Sequence, residues 1–258
     1  MSNEIADQAT SVRDGMTRRL FHPGPRWGEH PALTDAHFSD EVARYHRRFD
    51  ADRVEDIYVV GDVHGCIDEL RTLWNRLEPT DDDIVVFVGD LVRKGPDSAA
   101  VVEFVQSREN AVSVRGNNEA KIIHERIDTD PFDPIADVLE SFPLVVSWDD
   151  AMAVHGGVNP NDSLSAHAPD DLLEMRSVPP GNSYDGPFWF EHHDQPPRVF
   201  FGHTVLAEPF VSDWAIGLDT GCVYGGALTA YDYRREEFHS VPAERTYQSR
   251  TDEKILDV

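Results

Sequence analysis

Apolar and polar positions divide this chain into short hydrophobic runs and longer amphipathic segments, which alternate from Ile57 onward. The alternation is typical of β–α–β units, in which buried strands are joined by helices. The amphipathic segments predict helices over residues 67–77, 97–107, 119–127 and 133–141. After residue 140 the apolar runs follow one another more closely, which predicts a second sheet, more antiparallel than the first. The predicted strands are IYVV (57–60), IVVFV (84–88), AVSV (111–114), PLVVSW (143–148), AMAV (151–154), RVFF (198–201), WAIGL (214–218) and ALTAY (227–231).

The first 50 residues have a different character. They are polar, and prolines interrupt them between residues 23 and 31. A helix is expected from about Thr34 to Phe49, because apolar side chains recur there on one side. We therefore predict an accessory segment over residues 1–50, partly mobile at its start, followed by one folded domain over residues 51–258.

Composition narrows the classes of function. The 258 residues are 40% hydrophobic, which is enough for one substantial core. Asp and Glu number 48 against 23 Lys and Arg, and the net charge of −25 disfavours nucleic acids and anionic membrane surfaces as partners. No apolar run approaches the roughly 20 residues of a membrane span, and two cysteines are too few for a disulfide framework. We expect a cytoplasmic protein, either of a salt-rich cytoplasm or of an ordinary one, and the sequence leaves its oligomeric state open.

Five of the predicted strands end in a glycine beside a side chain that can bind metal. The segments that follow these strands are GDVHG, GD, RGNNE, HGG and GHT. Any one such residue is ordinarily a helix cap, a turn former or a packed histidine. Because the carboxyl ends of strands in an α/β sheet form the crevice where ligands bind, the whole set predicts a shared site. Its candidate metal ligands are Asp62, His64, Asp90, Asn117, His155 and His203.

This mixture of carboxylate, imidazole and amide oxygen suits two divalent ions. Manganese is the first choice, and iron, zinc, cobalt and nickel are alternatives. A carboxylate can bridge two ions about 3.5–4 Å apart, and the pair can hold a hydroxide as a nucleophile near neutral pH. The pattern therefore predicts metal-dependent hydrolysis of a phosphorylated substrate.

The motifs GDVHG, GDLVRKGPDS, RGNNE, HGG and GHT resemble those of the calcineurin-like metallophosphoesterases. The resemblance covers residues 57–232 and is strongest to the phosphoprotein-phosphatase branch, in particular to diadenosine tetraphosphate hydrolases and small bacterial and archaeal protein phosphatases. It implies an α/β fold, a four-layer αββα sandwich of two mixed sheets flanked by helices, with a dinuclear metal centre. It also implies that residues 51–258 are the metallophosphoesterase domain. In the implied roles, Asp62, His64 and Asp90 bind one metal, and the second metal is bound by Asp90 as a bridge with Asn117, His155 and His203.

Two motifs depart from the family pattern together. Where the family has GDxxDRG and GNHE, this chain has GDLVRKG and GNNE, so Arg93 replaces an aspartate, Lys94 an arginine and Asn118 a histidine. The resemblance implies that this histidine acts on the leaving group and that the aspartate orients it. General acid catalysis is worth roughly 10²–10⁴-fold, and it matters most for a poor leaving group such as a serine alkoxide. A phosphate leaving an anhydride needs less help and is stabilised by cations.

The favoured interpretation is therefore hydrolysis of phosphoric anhydrides, with dinucleoside polyphosphates as the substrate class. A serine/threonine protein phosphatase is the alternative, and a non-catalytic phosphate or nucleotide sensor is a third. We expect catalytic roles for Asp62, Asp90, Arg93, Lys94 and Asn118, and substrate contacts from Arg93, Lys94, Asn117 and Arg176.

Several other residues have weaker signals. Arg176 lies where the family carries a second phosphate-binding arginine, and its alternative role is a helix C-terminal cation. Tyr184 is a candidate for substrate contact, whereas the aromatic residues 188–190 are expected to be core packing. If another group supplies the leaving-group proton, the candidates are His124, His192 and His193.

Overall fold

Two mixed β-sheets lie at the centre of the protein in a computed structural model that describes residues 38–258. The strands are β1 (His46–Arg48), β2 (Ile57–Val60), β3 (Ile84–Phe87), β4 (Ala111–Ser113), β5 (Val145–Trp148), β6 (Ala151–Ala153), β7 (Arg198–Phe201), β8 (Phe210–Val211), β9 (Ala215–Gly217), β10 (Ala227–Asp232) and β11 (Glu237–Pro242). One sheet has the order β11–β10–β2–β3–β4, and the other has the order β1–β5–β6–β7–β9–β8. Strands β2, β3 and β4 run parallel, and so do β6, β7 and β9.

Short helices cover the outer faces of the sheets. The longest described helix, α2, buries Ile67, Leu70, Leu73 and Leu77, which recur every three or four positions along one face. It ends at Glu78, whose left-handed φ of 48° terminates the helical hydrogen bonding. The helices are α1 (Asp40–Ala43), α2 (Ile67–Leu77), α3 (Ser98–Gln106), α4 (Asn117–Ile123), α5 (Ala136–Glu140) and α6 (Pro169–Glu174), with 3-10 turns at Ala51–Arg53, Asp130–Ile135, Leu164–Ala166, Trp189–Glu191, Cys222–Tyr224 and Asp252–Lys254.

Three hydrophobic clusters bind these layers together. One lies between the sheets, where Ile57 and Val86 of one sheet share a core with Trp148 and Phe200 of the other. The second packs α2 and α3 against the outer face of the five-stranded sheet. The third packs the region of Trp189 and α6 against the outer face of the six-stranded sheet. The order is helix, sheet, sheet, helix, so the predicted αββα sandwich is confirmed.

All eight predicted strands are present, but the predicted difference between the sheets is wrong. The six-stranded sheet has three parallel and two antiparallel pairings, and the five-stranded sheet has two of each. The reason is that the hairpin of β10 and β11 crosses back to pair with β2, which gives its antiparallel contacts to the first sheet. The local spacing of apolar runs does not indicate that this hairpin pairs with β2.

The helix predicted from Thr34 to Phe49 is wrong over its second half. Helix α1 ends at Ala43, and β1 then pairs in parallel with β5 at the edge of the six-stranded sheet. The start of that predicted helix and the predicted mobile start of the chain fall on residues 1–37, outside the described residues. The domain boundary between residues 50 and 51 stays a prediction. Within residues 38–258, no helix combines the length and the apolar character that crossing a bilayer requires.

Candidate metal centre and substrate pocket

The predicted metal ligands lie at the carboxyl ends of neighbouring parallel strands. Asp62 and His64 follow β2, Asp90 follows β3, and Asn117 follows β4 at the start of α4. His155 and His203 follow β6 and β7 of the other sheet. The sheets are joined at this edge, since the His155 imidazole donates from Nδ1 to the carbonyl of Val88 (2.8 Å) and the His203 N–H donates to an Asp62 carboxylate oxygen (3.2 Å).

Asp90 lies between two of the histidines. Its Oδ2 is 3.5 Å from Nε2 of His64, and its Oδ1 is 3.4 Å from Nε2 of His155. Ligand atoms of Asp62, Asp90 and His155 all lie within 4.8 Å of one another, and the rings of His155 and His203 are 5.0 Å apart. Each Asp90 oxygen therefore faces a different imidazole, which places Asp90 where two ions could share it.

Backbone carbonyls fix which nitrogen of each histidine is free. The carbonyls of Val92, Val88 and Glu174 accept from His64 Nδ1 (3.0 Å), His155 Nδ1 (2.8 Å) and His203 Nε2 (3.2 Å), respectively. A carbonyl only accepts, so the other nitrogen of each ring carries a lone pair. Burial lowers the pKa of His64 to about 3 and also lowers the pKa values of His155 and His203, which keeps the rings neutral and able to bind metal.

The donor set fits divalent metal ions. Nε2 of His155 is buried and has no hydrogen-bond partner among residues 38–258. The buried carboxylates of Asp62 and Asp90 point into the same space. Burial removes their hydration, and a bound cation would compensate for that loss. Neutral imidazoles, carboxylates and the Asn117 amide oxygen together match the preferences of borderline divalent ions.

The backbone around these ligands takes conformations that side chains rarely adopt. His64, Asp90 and His203 have φ values of 49°, 51° and 65°. Such strain of non-glycine residues concentrates at functional sites, where surrounding contacts enforce it. Gly202 is required for the same packing, because a Cβ at this position would lie 2.0 Å from Oδ1 of Asp62.

Glu119 connects the start of α4 to the loop that carries Asp90. Its carboxylate accepts from the N–H groups of Gly116 (2.7 Å), Asp90 (3.0 Å) and Val92 (3.2 Å). Burial and the neighbouring charge of Asp90 raise the pKa of Glu119 to about 8. One side chain thus ties the start of α4 to the Asp90 loop, which positions two candidate ligands together.

Arg93 and Asn118, two of the three residues that depart from the family pattern, are hydrogen-bonded to each other. Nη1 of Arg93 donates to Oδ1 of Asn118, and Nδ2 of Asn118 donates to Oδ2 of Asp90 and to Oδ1 of Asn117 (2.9 Å). Because a guanidinium can only donate, it fixes the orientation of the amide: oxygen towards Arg93, NH₂ towards the carboxylate. The exchanged pair is therefore a coupled unit in this fold.

Lys94 reaches the ligands themselves. Its Nζ lies 2.8 Å from Nε2 of His64 and 5.3 Å from the centre of the Tyr224 ring. Burial acts to lower the pKa of Lys94, but Asp90 and Tyr224 outweigh it, and the pKa is raised. Lys94 is thus an ammonium at the floor of the pocket.

A cavity of about 270 Å³ opens above these residues. It brings together all the predicted site residues except His155, which lies deeper. It also holds residues that the sequence analysis did not single out, namely Lys121, Glu174, Asn182, Val205, Asp219, Tyr224 and Arg250.

Two of these pocket residues, Asp219 and Arg250, differ in whether the local sequence indicates them. Asp219 follows β9 in the sequence LDTG, which repeats the pattern of an apolar strand, an acidic residue and a glycine. It is buried, and burial raises its pKa. Arg250 has no comparable local signal, since it lies in a polar segment 30 residues further on and reaches the pocket only through the tertiary fold.

The three alternative proton donors are misplaced for that role. Among the residues lining the cavity, the described histidines are His64 and His203, and His124, His192 and His193 are not among them. His193 is instead bonded through Nε2 to the carbonyl of Pro197 (2.8 Å). The aromatic residues 188–190 are buried in the core, as predicted.

Residues 56–238 match the calcineurin-like phosphoesterase family. A bis(5′-nucleosyl)-tetraphosphatase from Vibrio cholerae, named symmetrical, is 26% identical over 72% of this chain and 98% of the relative. One from Halalkalibacterium halodurans, named asymmetrical, is 27% identical over 72% of this chain and 93% of the relative. A solved structure described as a candidate diadenosine tetraphosphatase has a TM-score of 0.69 at 28% identity, covering 77% of this chain and 98% of that one. The family match spans strands β2 to β10 and all five motifs, and the chain therefore belongs to the calcineurin-like phosphoesterases.

Proposed function

We propose that this protein hydrolyses dinucleoside polyphosphates with two divalent ions, manganese first among them. The six strand-end residues would hold the ions, with Asp90 shared between them, and the pocket above them would bind the polyphosphate. The names of the two relatives and of the solved structure support this substrate class. The ions, when bound, supply positive charge to the phosphoryl oxygens and acidify a water molecule.

The observation that carries the anhydride preference is the bond between Arg93 and Asn118. At the position where the family resemblance implies an imidazole acid held by a carboxylate, this chain holds a neutral amide fixed by a guanidinium. An amide NH₂ donates a hydrogen bond but does not give up a proton near neutral pH. The site therefore favours a leaving group that departs as a stable anion, as the phosphate of an anhydride does.

The charge of the pocket supports the same conclusion. The cavity is lined by five cationic side chains and four carboxylates, in a protein whose net charge is −25. Two divalent ions bound to Asp62 and Asp90 would leave the cleft strongly positive, and a positive cleft in an otherwise acidic surface attracts a small polyanion while the surface repels extended polyanions. The five cationic side chains are Arg93, Lys94, Lys121, Arg176 and Arg250.

Residues of the pocket have separate roles in this proposal. Lys94 and Arg93 stabilise charge on the phosphate oxygens, Arg93 through the guanidinium edge that Asn118 does not occupy. Asn118 donates to Asp90 and so orients the carboxylate that two bound ions would share. The protein is proposed to act in the cytoplasm, in keeping with its two free thiols, Cys66 and Cys222.

The test compares kcat/KM for diadenosine tetraphosphate with kcat/KM for a phosphoserine peptide, in the presence of Mn²⁺. We expect the nucleotide to be hydrolysed faster by about 10²-fold or more, the lower range of what a missing general acid costs the peptide. Faster peptide hydrolysis would instead establish a protein phosphatase. Manganese binding without turnover of either substrate would establish a sensor. The nucleotide products identify the bond that is cleaved, for which the two relatives carry opposite names.

A further inference from the structure

The C-terminal residues 247–256 cross one side of the pocket as a strap. At one end the Tyr247 N–H donates to the carbonyl of Val223 (3.1 Å), in the 3-10 turn Cys222–Tyr224. At the other end the Leu256 N–H donates to the carbonyl of Val205 (2.9 Å), two residues after His203. The Leu256 side chain is buried in the core of the six-stranded sheet. The strap is thus anchored on both sides of the site.

Arg250 projects from the middle of this strap into the pocket. Its Nη2 donates to the hydroxyl of Tyr184, and its Nε donates to the carbonyl of Lys254 (2.8 Å). The guanidinium carbon lies 4.6 Å from the centre of the Tyr224 ring and 5.5 Å from that of Tyr184. Two aromatic rings and two hydrogen bonds therefore hold Arg250 in one place at the edge of the cavity.

A second guanidinium converges on the same place. Arg176 lies 4.4 Å above the Tyr184 ring, and its Nη2 donates to the carbonyl of His203 (3.0 Å). Its Nε is buried and has no hydrogen-bond partner in the described part of the chain. Burial and the charge of Arg250 lower the pKa of Arg176.

Among the described residues, no carboxylate is in direct contact with this pair of like charges, although Asp219 and Glu174 line the same cavity. Among the ion pairs of residues 38–258, no carboxylate lies within 4.0 Å of either guanidinium. Two arginines beside one ring repel each other, and an anion placed between them would remove that repulsion and use their free N–H groups. Phosphate oxygens match the guanidinium fork in geometry.

We propose that Arg250 and Arg176, held by Tyr184 and Tyr224, form a subsite for a phosphate group of the substrate other than the one that is attacked. The proposal rests on the proposed function in that the attacked phosphate lies at the strand-end ligands. Arg176 is bonded to the backbone of His203, so the subsite adjoins that position. A polyphosphate chain would fill both places, whereas a single phosphate would fill only the one at the ligands.

The experiment measures binding of orthophosphate and of non-hydrolysable imidodiphosphate by isothermal titration calorimetry. It uses the full chain with Mn²⁺ in fixed excess, so that chelation is equal for all variants. Arg250→Ala should weaken imidodiphosphate binding about 10- to 100-fold, the range for losing hydrogen bonds to a charged group. Orthophosphate binding should change less than about twofold. Arg250→Lys should lie between, because it keeps the charge and loses the fork.

Arg245→Ala is the matched control. Arg245 also lies over a tyrosine, 5.0 Å from the ring centre of Tyr247, but it is exposed and outside the pocket. It should alter neither affinity, and thermal melting checks that each variant is folded. Equal weakening of both ligands by Arg250→Ala, or no weakening of either, overturns the subsite. Turnover of diadenosine tetraphosphate by the wild type is measured alongside: its absence defeats the proposed function, while the two affinities still decide the subsite.

Discussion

The pocket has two walls that arise in different ways. The strand-end wall is formed by the six candidate metal ligands, His155 lying behind the other five, and each ligand is within four residues of the end of a strand. The tail wall consists of Arg176, Tyr224 and Arg250, with Tyr184 packed against the two guanidinium groups, and these residues come from loops and from the C-terminal strap. The first wall is held by strand register and by backbone strain at three ligands, and the second by aromatic rings against guanidinium groups. Chemistry common to a family can reside in the first wall, whereas the choice of substrate can be adjusted in the second without disturbing the sheets.

The largest expected effect comes from breaking the strand-end wall. Asp90→Asn removes a charge from the residue that faces both His64 and His155. Metal charge stabilisation is worth several kcal/mol, so kcat/KM should fall by at least about 10³-fold on every substrate. Bound manganese, measured by elemental analysis, should fall with it.

Asp97→Asn is the control for this change. Asp97 follows the same strand, is exposed, and caps α3 through a bond to the Ala100 N–H (2.9 Å) that asparagine can also make. Activity and metal content should stay at wild-type levels. If Asp90→Asn kept both its manganese and its activity, the assignment of the strand-end wall would be wrong.

An intermediate effect is expected from replacing Arg93 and Asn118 together by the residues that the family pattern has at these positions. Arg93→Asp combined with Asn118→His would place a carboxylate beside an imidazole at the position of the present guanidinium and amide. Activity on a phosphoserine peptide should rise about 10- to 100-fold, since general acid catalysis becomes available to a poor leaving group. Activity on diadenosine tetraphosphate should change much less.

The single change Asn118→His should gain less than the double variant. The Arg93 guanidinium would remain beside the new imidazole and would disfavour its protonated, acid form. Steady-state kinetics of both variants and of Arg93→Asp alone separate the contributions. A double variant that binds manganese normally but gains no peptide activity would show that the proton comes from elsewhere.

The smallest expected effect concerns a residue outside both walls, which should change the stability of the protein but not its activity. His46 on β1 bonds through Nε2 to the hydroxyl of Ser147 (2.7 Å). Burial, and then the charges of Arg48 and Arg47, lower the pKa of His46 to about 4 from its usual 6.5. Between these values the unfolded chain binds the proton and the folded chain does not, so stability is full above pH 6.5 and falls towards pH 4.

His46→Gln should flatten this part of the stability profile by about 1–2 kcal/mol, because glutamine can bond to Ser147 without titrating. Urea unfolding of both proteins between pH 4 and pH 7.5 measures the difference, and groups common to both cancel. The kinetic constants at pH 7.5 should be unchanged. A difference that does not vary with pH would exclude titration of His46 as its cause.

Sequence patterns were sufficient for the strand-end wall because its signals are local. Each ligand stands directly after an apolar run and beside a glycine, and parallel strands bring such ends to one edge. The same reasoning gave the eight central strands and the layered fold. It does not reveal the role of Glu119, because the bonds of Glu119 to the Asp90 loop join positions nearly 30 residues apart.

The sequence by itself determined the family, the fold and the residues gathered at the strand ends. The tertiary structure decided that the last hairpin returns to the first sheet, that Arg93 orients Asn118, and that Arg250 closes the pocket. The physical reason is the distance along the chain over which each interaction acts. Burial periodicity and glycine-containing turns act over a few residues, whereas the place of a tail or a hairpin depends on the free energy of contacts between distant segments.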